Sequence, residues 1–370
     1  MKICSPQLGL APASTLGGEV YDREVLTKLA KKGNDIYVLL PKNRPYDKSI
    51  KNLHINYAPI RTIFPAYLYS LIILPYLFKT YNRVGFNILR VHVHFLAFGA
   101  LIFKIFHKKI PIVAHYHLDE DGLFFNFVNK LFLSRCDLVI ADSKFLKKRL
   151  IGKYKLSPNK VAVIYCGTDL NIKPGKKDQK IQEKYNLCDK KVFIYMGRLI
   201  KRKRPDFLLE IFNLVHKKNP ETALLIFGEG PLLKNLQDKI KRYSLEDCVY
   251  LLGTTFGAEK VRFYNSSDVF IFPSINEGFV LVILEALAAG LPIIASKAVS
   301  LGEAVDNHKN GILVDPYNMR KWREAMEFLI KNPGKSLEMG RLSRKIAEER
   351  FSWDQTAQND LYFYQKIIDG

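Results

Sequence analysis

The strongest constraint on this chain is a rhythm. Short apolar runs of strand length recur between segments long enough for helices, stop, and then start again. The first series holds NDIYVLL (34–40), ILRVHVHF (88–95), IPIVAHYH (110–117), DLVIADS (137–143) and VAVIYCGTD (161–169). After a polar, lysine-rich stretch the second holds KVFIYMGRL (191–199), ALLIFGEG (223–230), VYLLGT (249–254), DVFIFPS (268–274), LPIIAS (291–296) and GILVDP (311–316). Near-continuous apolar runs of this length belong to parallel strands covered on both faces. Alternation with crossover helices builds right-handed βαβ units. The pattern predicts an α/β chain with two Rossmann-like, doubly wound parallel-sheet domains, over 1–170 and 171–353. An amphipathic helix over about 354–370 returns to the first. In such sheets ligands bind beyond the carboxyl ends of the strands, where GRL, GEG and PSINEG stand.

Composition narrows what these domains would meet. Hydrophobic residues make up 48% and charged residues 25%, the balance of a globular enzyme and not of a disordered chain. The net charge of +21 is uneven: residues 1–170 hold 25 Lys/Arg against 11 Asp/Glu, or +14, leaving 32 against 25, or +7. A basic face attracts nucleic acid, an anionic membrane or a phosphorylated substrate. Scattered lysines without a nucleic-acid module motif argue against the first. Cys4, Cys136, Cys166, Cys188 and Cys248 form no CxxC pair or zinc spacing, which fits a reducing, cytoplasmic compartment. Pro6, Pro12 and Gly17-Gly18 interrupt the apolar start, so no signal peptide is expected. The apolar stretch 63–78, with Pro65 and Pro75 inside, is short for a membrane span. It reads as a buried helix or as an interfacial segment with Tyr67, Tyr69 and Tyr76 at headgroup depth.

The residues that could carry chemistry gather in PSINEGFVLVILEALAAGLPIIAS (273–296). The pattern puts Glu277 in the loop before a helix and Glu285 two turns inside it, with the amides of 278–281 aimed at a ligand. Glu285 stands in an apolar run, where a carboxylate is costly to bury without hydrogen-bond donors; ribose hydroxyls would supply them. A carboxylate at each end of such a loop suits a polyhydroxylated ligand.

This stretch resembles the Glu-x7-Glu signature of the retaining family 4 glycosyltransferases of GT-B fold. The likeness continues in order through Gly17-Gly18, PIVAHYH, CDLVIADS, VIYCGTD, YMGRLIKRKR, LLIFGEGP, NSSDVFIFPS, ALAAGLPIIAS and FSWD, nearly the whole chain. The resemblance implies two domains facing across a cleft, with a nucleoside-diphosphate sugar on the C-terminal one and the acceptor on the N-terminal one. It implies that Arg198 and Lys203 meet the donor diphosphate. Fixed cations suit a leaving group that gains negative charge, and they need no metal ion. By the same resemblance Glu277 meets the hydroxyls of the donor sugar, Glu285 meets the ribose, and His117, preferred to His115 by register, faces the sugar. Gly228, Gly278, Phe279, Val280 and Leu281 complete the donor set, while Gly17 and Gly18 let backbone amides approach a phosphate or the acceptor. No cofactor and no catalytic metal are expected, because His92 and His94 lack accompanying carboxylate spacing. Four positions depart from the family pattern: Arg204 where Gly is usual, Val280 where a small residue is common, Cys166 for Asn, and Gly302-Glu303 for Pro-Glu.

The activity expected is retaining transfer of a hexose from a nucleoside-diphosphate sugar. The basic first half and the 63–78 stretch favour a lipid-linked or surface-polysaccharide precursor as acceptor, met by a protein peripheral on the inner face of the membrane. The alternatives are a sugar-nucleotide epimerase of the same fold and a non-catalytic sugar-nucleotide binder. A dinucleotide enzyme is disfavoured, since Leu233 stands where the third glycine after Gly228 and Gly230 would be.

Overall fold

The computed structural model describes residues 1–11, 17–44, 46, 49–61, 66–117, 123–275, 277–297 and 300–369, with backbone alone at 66–68, 93–95, 97 and 123–125. The chain forms two compact units: Met1–Gly167 with the C-terminal segment from Trp353, and Thr168–Ser352.

The first unit is built on seven strands: β1 (Lys2–Pro6), β2 (Asp35–Pro41), β3 (Leu53–Ala58), β4 (Ile88–His92), β5 (Ile112–Tyr116), β6 (Leu138–Ala141) and β7 (Val161–Val163). The order is β3-β2-β1-β4-β5-β6-β7, with every neighbour parallel. The second unit has β8 (Lys191–Met196), β9 (Thr222–Phe227), β10 (Val249–Leu251), β11 (Val269–Phe272), β12 (Ile293–Ser296) and β13 (Gly311–Val314). They run β10-β9-β8-β11-β12-β13, again parallel. Two doubly wound parallel sheets are thus present, the GT-B architecture. Strand order reverses between β1 and β4 in one sheet and between β8 and β11 in the other. At such switch points adjacent loops diverge and open a crevice at the carboxyl edge.

Local chemistry follows the sequence closely in the second unit. The helix Pro205–His216 starts with Pro in its first turn, where no N–H is needed. Its Leu208, Leu209, Ile211, Phe212 and Val215 are buried, and Phe212 meets Phe193 of β8 at 6.5 Å between ring centroids. The terminal helix Trp353–Asp369 forms as expected and packs on the helix Gly17–Lys31. Lys28 Nζ lies 2.6 Å from Asp354 Oδ2, and Tyr21 meets Trp353 edge-on.

One expectation is corrected, one strand was not foreseen, and one open alternative is narrowed. The run 88–95 is not all strand: β4 ends at His92 and the helix Val93–Phe106 begins at once. β3 was not visible as an apolar run, because this edge strand, LHINYA, leaves His54 and Tyr57 exposed. The 63–78 stretch holds the helix Ala66–Ile72 and the start of the helix Leu74–Val84. Tyr69, Ile73 and Leu77 are buried in the core, and the Tyr69 hydroxyl donates to the Gln7 carbonyl. That favours the buried reading over the interfacial one; Ile63 to Pro65 and the Tyr67 side chain lie outside the described residues. Among the described residues no helix is long and apolar enough to cross a membrane.

Candidate functional site

In the second unit the loops at the switch point carry the charges. After β8 the chain runs through Gly197, Arg198 and Leu199 into a single 3-10 turn, Lys201–Lys203. After β11 it runs through Ser274 to Glu277, and the amide of Ile275 donates to the Arg202 carbonyl, joining the two loops. Glu277 is the hub: its Oε1 lies 2.6 Å from Lys203 Nζ and its Oε2 lies 2.8 Å from Arg202 Nη1. Ser274 Oγ donates to the same Oε1. Lys203 also sits over the Phe272 ring at 4.8 Å. Burial lowers its ammonium pKa, Glu277 opposes the shift, and the charges of Arg202 and Arg198 add to it. Arg198 is exposed on the neighbouring stretch, with no ion pair to a described residue. Two cations hold the Glu277 carboxylate and Arg198 is near enough for its charge to act on Lys203, so the loops keep a net positive charge for an anionic ligand.

Arg204 stands at φ 55°, ψ 42°, the left-handed region in which glycine is the easy choice. Its side chain accounts for its retention. The guanidinium donates to the Pro316 carbonyl and stacks over Phe207 at 3.7 Å, so the loop is pinned by an arginine where a glycine would merely permit it. Gly228 has a backbone reason of its own. At φ 139° an added Cβ would stand 1.9 Å from the Gly197 carbonyl oxygen, so the loop after β9 can approach the loop after β8 only with glycine there.

Glu285 differs from expectation. It is the fifth residue of the helix Leu281–Ala288, little more than one turn inside. Its carboxylate already has protein partners: Lys260 Nζ at 2.9 Å from Oε1, and the Tyr264 hydroxyl, which donates to Oε2 at 2.9 Å. Lys260 and Tyr264 thus supply donors from within the protein, and an ionised carboxylate has lone pairs to spare for more than two bonds. Gly278, Phe279 and Val280 lead into this helix, Val280 being its non-capping first flank and 8% exposed. The helix has no side-chain cap, and the amides of Ile283 and Leu284 donate to the Val280 carbonyl. Phe279 meets Phe351 at 5.7 Å.

The switch point of the first unit carries a buried polar network that the sequence did not reveal. Arg90 of β4 is wholly buried, and its Nη1 lies 2.5 Å from Asp22 Oδ1, whose other oxygen meets His92 Nε2. His115 is held between the hydroxyls of Tyr21 at 3.3 Å and Tyr364 at 3.0 Å. Burial lowers the pKa of His92 and, further, of His115; for His92 alone Asp22 opposes the shift. His117, just past β5, is the freer ring, its side chain 18% exposed and its Nδ1 3.6 Å from Asp142 Oδ2. Asp360 lies nearby on the terminal helix, 0% exposed, with neither carboxylate oxygen bonded among the described residues. The His94 side chain lies outside the described residues. Gly17 and Gly18 open the helix Gly17–Lys31, and nothing lies within 4 Å of a Cβ added to Gly18. An open pocket of 820 Å³ lined by Arg23, Lys31 and Lys51 holds none of these residues.

Comparison with known proteins gives the following. The model described as Glycosyltransferase Family 4 matches residues 16–172, and that described as Glycosyl transferases group 1 matches residues 177–346. A D-inositol 3-phosphate glycosyltransferase of Segniliparus rotundus is 29% identical over 243 residues, 64% of this chain and 54% of that protein. The matched part spans about half to three-fifths of the curated relatives met first. In structure, the sucrose-phosphate synthase from Thermosynechococcus elongatus aligns with TM-score 0.85 at 20% identity, over 100% of this chain and 99% of that one. Anabaena HepE, solved in complex with UDP, aligns with TM-score 0.80 at 20% identity over 99% of this chain and 100% of that one. At these identities the structural likeness speaks for the fold.

Proposed function

Because the chain belongs to the group 1 glycosyltransferases of family 4, we propose that it transfers a hexose from a nucleoside-diphosphate sugar to a glycan or lipid-linked acceptor, with retention and without a metal ion. The observation that carries this reading is the cationic crevice at the β8/β11 switch point, where Arg202 and Lys203 hold Glu277 and the charge of the exposed Arg198 acts on Lys203. Transfer breaks the bond between the sugar's anomeric carbon and the diphosphate oxygen and forms one to the acceptor oxygen. The diphosphate leaves with added negative charge, which the fixed cations stabilise where it develops. The acceptor's proton passes to the departing phosphate, so no protein nucleophile is needed. Glu277 orients sugar hydroxyls while aligning Lys203 and Arg202; Glu285, braced by Lys260 and Tyr264, takes the ribose.

Calorimetry with UDP-, GDP- and ADP-sugars in EDTA tests this, UDP first because HepE is described with UDP. One donor is expected to bind, and Arg198→Ala and Glu285→Ala are each expected to weaken it at least tenfold. No binding of any donor would sink the proposal.

For the acceptor, the basic first half still favours an anionic, membrane-borne precursor. The supporting surface is not 63–78 but the end of the helix Val93–Phe106. There Ile105 and Phe106 are 65% and 69% exposed, with Lys108 and Lys109 following directly, an apolar wedge with basic neighbours. Flotation with anionic vesicles at low salt is expected to carry the protein up, and Phe106→Ser to reduce this severalfold. A protein that stays in solution would point to a soluble acceptor.

A further inference from the structure

We propose that the first unit binds a thiophilic divalent transition-metal ion between His117, Asp142 and Cys166. The three residues follow the carboxyl ends of β5, β6 and β7, consecutive neighbours in the sheet. Topology therefore brings together ligands that sequence spacing keeps far apart. One ligand atom from each lies within 4.8 Å of the others, and His117 Nδ1 is 3.6 Å from Asp142 Oδ2. Zinc bonds of about 2.0–2.3 Å put tetrahedral neighbours roughly 3.5 Å apart. One pair already has that spacing, and the widest need close by only about 1 Å.

The donor set selects the ion. An imidazole nitrogen, a carboxylate oxygen and a thiolate sulfur favour Zn²⁺ or Co²⁺ and disfavour Mg²⁺ and Ca²⁺. One carboxylate and one thiolate cancel the charge of a divalent ion, so a neutral centre forms where Asp142 and Cys166 are 2% and 4% exposed. Ser143 Oγ donates to Asp142 Oδ1 at 3.4 Å and orients the carboxylate. His117, its side chain 18% exposed, gives the ion an approach from solvent, and a water would be the fourth ligand of a tetrahedral site. On binding, the Cys166 S–H bond breaks, a metal–sulfur bond forms, and the proton leaves to solvent. Cys166 stands where the resembled family has Asn, so the site belongs to this chain's own departure from that pattern.

The test is a cobalt titration of the full chain after EDTA treatment and desalting. A thiolate-to-cobalt absorption band saturating at one ion per chain is expected, displaced by Zn²⁺, lost in Cys166→Ser and kept in Cys188→Ser. No band in the wild-type chain, or a band that survives Cys166→Ser, overturns the site. Should Cys166→Ser fail to fold, His117→Gln keeps the thiol and is expected to weaken cobalt binding by at least the roughly 10- to 100-fold that loss of a partner behind a ligand costs; unchanged affinity overturns the site equally.

Discussion

Lys203→Ala is expected to lower kcat by about 100- to 1000-fold with little change in KM, the loss typical of removing one fixed donor from a developing oxyanion. The side chain is 13% exposed and clamped between Glu277 and the Phe272 ring, so its charge is already in place before the diphosphate leaves. Because it acts on charge that grows during bond breaking, its removal should appear in kcat more than in KM. Arg202 is 33% exposed and better screened, so Arg202→Ala should cost less. Lys203→Arg is no rescue, because a planar fork does not fit a position shaped for a point charge. If Lys203 only aligns Glu277, then Lys203→Ala and Glu277→Gln should cost the same singly and together; if it also meets the diphosphate, the Lys203 loss should exceed the Glu277 loss. Steady-state kinetics on both variants, with the donor found by calorimetry, separates the two. A loss under tenfold in Lys203→Ala would remove it from the chemistry.

This site was more legible in the second unit than in the first, for a physical reason. Strands buried on both faces write themselves as continuous apolar runs, and the loops that follow are short. The runs therefore placed the strand ends where such loops stand, and the resemblance to the family then singled out Arg198, Lys203, Glu277 and Glu285 within them. Their partners had no such marker. Lys260 and Tyr264 reach Glu285 from the helix Gly257–Asn265, and Arg202 was one cation in the run Lys201 to Arg204 with nothing to single it out. In the first unit the Asp22, Arg90, His115 and Asp360 network joins two strands and two helices from opposite ends of the chain. Asp22 and Asp360 sit at inward positions of their helices, and an acid there is the only trace such a network leaves. The edge strand β3, half exposed, has no continuous run to announce it.

Asp360→Asn is expected to stabilise the first unit increasingly as pH rises, by up to about 4 kcal/mol at pH 8 and by nearly nothing at pH 4. Burial pushes the Asp360 carboxyl up to about 7, with Arg90 opposing the rise and Asp22 adding to it. Arg90 cannot neutralise it fully, because its guanidinium is committed to Asp22 at 2.5 Å. The other groups that Asp360 acts on, Tyr21, Tyr364 and Cys166, are raised by burial first and by its charge as well, so none of them compensates it. A carboxyl whose folded pKa lies above its unfolded value of 3.8 binds more protons when folded. Its contribution is fully present below about pH 4, declines as pH rises, and is gone above about pH 7. Asparagine, which resembles the protonated acid in shape and stays neutral, does not lose that contribution. The difference between variant and wild type therefore isolates this one group from the other carboxylates, which titrate in both. Hydrogen exchange of the β1 and β4 amides across pH 4 to 8 reads the first unit alone, which matters in a chain of two units whose unfolding need not be two-state. A difference that stays flat with pH would mean that Asp360 is ionised throughout. Arg90 would then have to serve two carboxylates at once instead of belonging to Asp22.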